Sequence, residues 1–239
     1  KEKIPTVTRR GDFFYNLWQD AKNPRGLWRR TTLAEYRKPQ PAWETVLDLD
    51  ALGAAEKENW VWKGATCFGP PYTRCVLSLS RGGADASVLR EFDTQALRFI
   101  EAKDGGFVVA EAKSSLDWID ENTVYIGTDF GPGSMTDSGY PRIVKRWQRG
   151  TPIDKAVTVF EGVAKDVAAG VSVDRTPGFE RTVFSRATDF YNSKLWLLQG
   201  DKPVAIDVPS DAHFSFWRER VLIQLRSDWK LGDTTWPSG

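Results

Sequence analysis

A short pattern recurs along this chain: a hydrophobic strand that ends in an Asp beside an aromatic residue. Thr123-Val124-Tyr125-Ile126-Gly127-Thr128-Asp129-Phe130 is one copy. Thr182-Val183-Phe184-Ser185-Arg186-Ala187-Thr188-Asp189-Phe190 is a second, and Arg220-Val221-Leu222-Ile223-Gln224-Leu225-Arg226-Ser227-Asp228-Trp229 a third. Phe13-Phe14-Tyr15-Asn16-Leu17-Trp18-Gln19-Asp20 is a looser fourth. The equivalent strands begin near Phe14, Val76, Val124, Val183 and Val221, in steps of 62, 48, 59 and 38 residues. All-strand repeats of this length restrict the fold to an all-β array, and a β-propeller with one four-stranded sheet per repeat fits best. A two-sheet sandwich also uses many short strands, but it does not require the same Asp–aromatic signature at the same point of each unit.

Turn residues divide the chain into units of roughly 9–50, 58–102, 107–161, 167–208 and an incomplete 212–239. The expectation is therefore about four to five blades of a larger propeller. Strands are predicted at Asp12–Trp18, Gly26–Thr32 and Trp43–Leu49, with a short helix or Ala-rich loop over Asp50–Glu58. The second unit is read as Trp60–Phe68, Cys75–Ser80, Ser87–Asp93 and Ala96–Ala102. The third is read as Phe107–Ala112, Thr123–Thr128, Arg142–Arg149 and Ala156–Glu161, with a long connection over Asp129–Pro141. The fourth runs Val167–Asp174, Thr182–Arg186, Lys194–Leu198 and Pro203–Val208. The fifth has Ala212–Trp217 and Arg220–Arg226, and Trp229–Gly239 shows no clear third or fourth strand. An array that stops there leaves sheet faces open, so self-association of the piece is expected.

Composition narrows the partners. Eleven Trp, thirteen Phe and six Tyr suit packing between stacked sheets. Thirty-three basic residues against 32 acidic ones give a net charge of +1, without the basic footprint that nucleic acid demands. No apolar run approaches the roughly 20 residues of a membrane-spanning helix, so no membrane partner is expected. No signal peptide is visible, although the chain opens on Lys1 rather than Met, and the cytoplasm is the expected compartment. Cys67 and Cys75 flank Gly69-Pro70-Pro71 and could meet across a hairpin, but two cysteines define no disulfide framework, and free thiols are the expected state.

The residues argue against a catalytic centre in this chain. Asp20, Asp129, Asp189 and Asp228 could form a ring of carboxylates, as in a propeller glycosidase. A repeated equivalent position instead favours Asp accepting backbone N–H groups in turns, because a catalytic acid and base need unlike environments. Gly170-Val171-Ser172-Val173-Asp174 lacks the second Gly of a nucleophile elbow and lies in a predicted strand. His213 is the sole histidine and sits in an alternating strand. One His and two Cys make a zinc site improbable, and no Gly-rich phosphate loop precedes a helix. No catalytic residue, cofactor or metal is expected. A stand-alone binding propeller is a further reading.

Several strings nevertheless resemble a known family. Phe13-Phe14-Tyr15-Asn16-Leu17-Trp18, Arg25-Gly26-Leu27-Trp28-Arg29-Arg30-Thr31-Thr32-Leu33 and Trp43-Glu44-Thr45-Val46-Leu47-Asp48-Leu49-Asp50 look like the start of the propeller in bacterial prolyl-oligopeptidase-family proteins. Glu58-Asn59-Trp60-Val61-Trp62-Lys63-Gly64 resembles that family's entry to the next blade. The resemblance implies a seven-bladed propeller joined to an α/β-hydrolase domain with a Ser-Asp-His triad. No triad residue carries over to this sequence, so the chain reads as part of the propeller of a longer serine peptidase, inactive alone. Its implied partners are the hydrolase domain of the same polypeptide and short peptide substrates, which a rigid cap admits while excluding folded proteins. The Asp129–Pro141 connection resembles in position a family loop that approaches the active-site cavity. This places Met135, Tyr140 and Arg142 on or beside the substrate-facing surface.

Overall fold

A computed structural model describes residues 5–239. They form two compact units that divide between Ala112 and Lys113.

The first unit opens with β1 (Thr8–Arg10), β2 (Phe13–Trp18), β3 (Leu27–Thr32), the one-turn α1 (Leu33–Tyr36), β4 (Glu44–Asp48) and α2 (Leu49–Glu56). The four strands pair in chain order, each antiparallel to the last. Local chemistry sets the boundaries. The Thr32 side chain accepts from Glu35 N and starts α1; Asp48 ends β4 and accepts from Ala51 N at 2.9 Å to start α2. The helix stops at Lys57 in the left-handed region, φ 56°.

The second sheet holds β5 (Trp60–Phe68), β6 (Arg74–Arg81), β7 (Ser87–Asp93), β8 (Arg98–Phe99) and β9 (Val108–Ala112). Here the sequence reading needs correction. The fourth strand is not a continuous Ala96–Ala102, and Val108–Ala112 does not open the next unit. Both β8 and β9 pair with β7, so the outer strand is interrupted by a short excursion over residues 100–107. Glu91 holds both ends of it. Its N–H donates to Phe107 O, its carbonyl accepts from Ile100 N, and its fully buried carboxylate accepts from Phe107 N, each at 2.9 Å.

The free thiols are corrected too. Cys67 and Cys75 are direct cross-strand partners and form a disulfide, with Cα atoms 3.9 Å apart. Register between β5 and β6, which spacing alone does not give, decides this.

Period-two alternation puts Tyr15 and Trp28 into the interior with Trp60, Leu77, Leu79 and Phe92 from the second sheet. Trp28 lies 5.3 Å from Tyr15, 5.1 Å from Trp62 and 5.9 Å from Phe92, ring centre to ring centre. Truncating a buried Trp of this kind typically costs about 3–5 kcal/mol.

In the second unit, β10 (Ser115–Asp120), β11 (Thr123–Gly127), β12 (Ile143–Gln148) and β13 (Val157–Glu161) form one sheet in chain order. Its first strand is therefore Ser115–Asp120, which the sequence reading passed over. Trp118 in it is fully buried. The next sheet, β14 (Ala168–Asp174), β15 (Arg181–Ala187), β16 (Ser193–Gln199) and β17 (Lys202–Ile206), follows the predicted strands closely. Then come two separate hairpins, β18 (His213–Trp217) with β19 (Arg220–Gln224), and β20 (Trp229–Leu231) with β21 (Thr234–Trp236).

One face of β14–β16 carries Ala169, Val171, Val173, Phe184, Trp196 and Leu198. It packs against Tyr125, Val144 and Phe160 of the preceding sheet. Phe160 stacks on Phe184 at 4.9 Å, an arrangement worth about 0.5–1.5 kcal/mol beyond the area it buries. This stack is the base from which the candidate site rises.

Candidate functional site

Three connections of the second unit meet at one end of the two stacked sheets: residues 128–142 between β11 and β12, 162–167 between β13 and β14, and 188–192 between β15 and β16. The middle one is bonded to the first connection and to the end of β15. Asp137 N donates to Ala164 O at 2.8 Å, and Thr136 Oγ1 to Val167 O at 3.0 Å. On the other side Val167 N donates at 2.7 Å to the carbonyl of Ala187, the last residue of β15, from which the third connection leaves. Together they make a continuous rim.

The rim is built from satisfied polar groups. Asp129 accepts from Gly131 N at 2.8 Å. The buried Ser134 accepts from Phe130 N at 2.8 Å and donates to Gly131 O at 2.7 Å. Asp166, 4 % exposed, accepts from Val163 N at 2.7 Å and from Arg186 Nε and Nη2 at 2.7 and 3.0 Å. Burial pushes its carboxyl up, but the Arg186 hydrogen bond and the Val163 N–H pull harder and hold it below the usual Asp value. Gly162 cannot be enlarged easily, since a Cβ there would lie 2.7 Å from Asp166 Oδ2.

The three residues singled out from sequence all sit on this rim. Met135 is half-buried and bridges to Pro141 as an isolated antiparallel pair. Tyr140 is exposed, with the Lys113 ammonium 4.1 Å above its ring. Arg142 donates to Gly133 O at 2.8 Å and Gly162 O at 3.1 Å, so its guanidinium braces the loop.

The recurring Asp residues are turn acceptors. Asp20 Oδ1 accepts from Lys22 N and Asn23 N, both at 2.9 Å, and Asp189 Oδ1 from Tyr191 N and Asn192 N at 2.8 and 2.9 Å. Both carboxyls are held below the ordinary Asp value, by the Asn23 N–H first in one and the Tyr191 N–H first in the other. Asp228 departs from the pattern: it accepts from Ser238 N, ten residues on.

A cleft of about 520 Å³ lies against the opposite face of β14–β16. It is lined by Ser115, Ser172, Asp174, Ser185, Phe214 and Phe216. No histidine lines it with the serines: exposed His213 instead meets Arg226 Nη2 at 2.7 Å. Among the described residues no cluster of His, Cys, Asp and Glu could hold a metal ion, and no helix is long and apolar enough to cross a membrane.

Sequence reasoning missed Asp166–Arg186, whose partners are 20 residues apart. It also missed the exposure of Phe190 and Tyr191 on the third connection.

Comparison with known proteins agrees with this architecture. Residues 1–226 match the family described as prolyl oligopeptidase, N-terminal beta-propeller domain. The chain is 40 % identical over 232 residues to an uncharacterized peptidase, y4nA, of Sinorhizobium fredii, covering 94 % of this chain and 31 % of the relative. It is 32 % identical to uncharacterized peptidase RP174 of Rickettsia prowazekii, covering 94 % and 33 %. Among solved structures, a post-proline cleaving enzyme from Rickettsia typhi superposes with a TM-score of 0.91 at 30 % identity, over 99 % of this chain and 36 % of that one. The chain thus spans about a third of the length of the curated relatives it matches.

Proposed function

The chain belongs to the prolyl oligopeptidase N-terminal β-propeller family, and from that premise we propose that it caps the active site of a hydrolase domain in the same polypeptide, admitting short peptides. The whole protein, in this reading, is a serine peptidase whose nucleophile and base lie outside these residues. The family match over residues 1–226 carries the reading. The site agrees with it: the rim carries braced loops and aromatic side chains, and its carboxylates are engaged as turn and clasp acceptors. That equips it to filter and position a chain and leaves bond-breaking to another domain.

Met135 and Tyr140 face the peptide in this proposal, while Arg142 keeps their loop in shape. The cap works by size. A rigid, hydrogen-bonded rim that opens little excludes a folded protein and passes an extended peptide.

The test uses the full-length protein. It should be labelled by a serine-reactive phosphonate and should cleave a short peptide. It should leave the same sequence intact inside a folded protein. Equal cleavage of both substrates sinks the capping role, and a failure to label or cleave sinks the peptidase reading.

A further inference from the structure

Phe190 and Tyr191 are 91 % and 77 % exposed, more than any other large apolar residue described. They sit side by side on the turn between β15 and β16, with neither ring partnered among the described residues.

The turn itself does not need them. Its frame is Asp189-Phe190-Tyr191-Asn192, held by Asp189 Oδ1 accepting from Tyr191 N, Asn192 N and Asn192 Nδ2 at 2.8, 2.9 and 3.0 Å. The chain builds the same frame a second time in Asp20-Ala21-Lys22-Asn23. There Asp20 Oδ1 accepts from Lys22 N, Asn23 N and Asn23 Nδ2 at 2.9, 2.9 and 3.1 Å. Identical scaffolding carries Ala-Lys in one turn and Phe-Tyr in the other. The two rings are therefore surplus to the turn's own stability. Further bonds stiffen the frame: Thr188 N donates to Asn192 O at 2.9 Å, and Ser210 Oγ to Asn192 Oδ1 at 2.9 Å. Large, rigidly mounted aromatic side chains are what a binding hot spot uses, because little conformational freedom is lost when they are covered.

We propose that the Phe190–Tyr191 turn is a docking point for the hydrolase domain of the same polypeptide. This rests on the functional reading above. Two observations choose that occupant. The turn leaves β15 at the same end of the sheets as the loop that bears Met135 and Tyr140, directly after Ala187, whose carbonyl accepts from Val167 N of the middle connection. And the matched segment is 31 % and 33 % of the two relatives, which leaves in proteins of that length the room for the partner domain that the functional reading supplies.

The test is a graft in the full-length protein, F190A/Y191K, which installs the residues the equivalent turn already carries. The unfolding midpoint of the propeller should not move. Contact with the hydrolase domain should weaken, read as a larger radius of gyration in X-ray scattering and about tenfold or more faster proteolytic nicking between domains. The conservative exchange F190Y/Y191F should keep both at wild-type values. Unchanged radius and nicking in the graft overturn the proposal. So does a raised KM for peptide with closure intact, which would make the rings a substrate contact, or a changed monomer–dimer balance, which would make them a contact between copies. If the wild-type protein cleaves no peptide, the functional reading falls, while radius and nicking still report whether the turn docks.

Discussion

The two units fasten their stacked sheets with the same cation and different acceptors. In the first, arginine reaches across to carbonyl oxygens: Arg10 Nη2 to Ala65 O at 3.1 Å, and Arg30 Nη1 to Thr94 O at 2.8 Å. In the second, arginine meets carboxylates that also hold the backbone, and Arg175 reaches the Trp118 carbonyl as well. Asp117 takes Arg175 Nη2 at 2.6 Å and Val173 N at 2.8 Å. Asp166 takes Arg186 and Val163 N. These two clasps grip β14 at its opposite ends. The first unit's buried carboxylate, Glu91, stays within its own sheet. The difference matters because a carbonyl acceptor keeps its character at any working pH, whereas a carboxylate can be protonated. The second unit, which carries the rim, is fastened by titratable groups.

The largest effect expected from this contrast is at Asp166. Asp166→Ala strands the Arg186 charge and leaves Val163 N without its acceptor, and should cost about 3–5 kcal/mol in urea unfolding. Hydrogen exchange should quicken around residues 162–170 and 184–187 and stay at wild-type rates in the first unit. A loss under about 1 kcal/mol would show that the clasp is dispensable and break the comparison.

A covalent fastening exists only in the first unit. Closing so short a loop, Cys67 to Cys75, is worth about 2–3 kcal/mol in the chain-entropy picture. C67A/C75A should lose that much, with faster exchange confined to β5 and β6. Alkylation of the denatured wild-type protein should modify neither sulfur until a reductant is added. Modification without reductant would remove the disulfide from the comparison.

What could be read from sequence was what is local. The Asp20 and Asp189 turns are legible because each acceptor's donors lie two and three residues on. The strands of β14–β17 are legible because alternation and turn residues agree there. The β9 pairing and the Asp166–Arg186 clasp join residues about 20 apart, which no local pattern carries, and the disulfide, only eight residues apart, turns on the exact register of one hairpin. Ser115–Asp120 escaped because its two aspartates and Ser115 mask a strand anchored by Trp118. The rim was only half legible. An aromatic follows Asp129 and Asp189 alike, so nothing in the pattern separates Phe130, covered by the Lys145 ammonium at 4.2 Å, from Phe190, which stands in water.

The finest test sets the two acceptors against each other by pH. Asp166 is held below its ordinary value, so its ionised form is the one the fold favours. Its contribution is complete above the unfolded Asp value of about 3.9 and is lost as pH falls through the lower folded value. The stability gap between wild type and Asp166→Asn should therefore be widest at pH 7 and narrow below about pH 4. Arg30→Met removes a charged donor from a carbonyl and should cost about 1.5–3 kcal/mol. That gap should narrow less over the same range, because Thr94 O does not titrate and only the pair with half-exposed Glu44, whose carboxyl Arg30 holds below its ordinary value, is lost in acid. Denaturant titrations of the three proteins at both pH values decide it. Parallel narrowing in both variants would mean that acid acts on the whole chain, and the chemical distinction between the two fastenings would then have no energetic consequence.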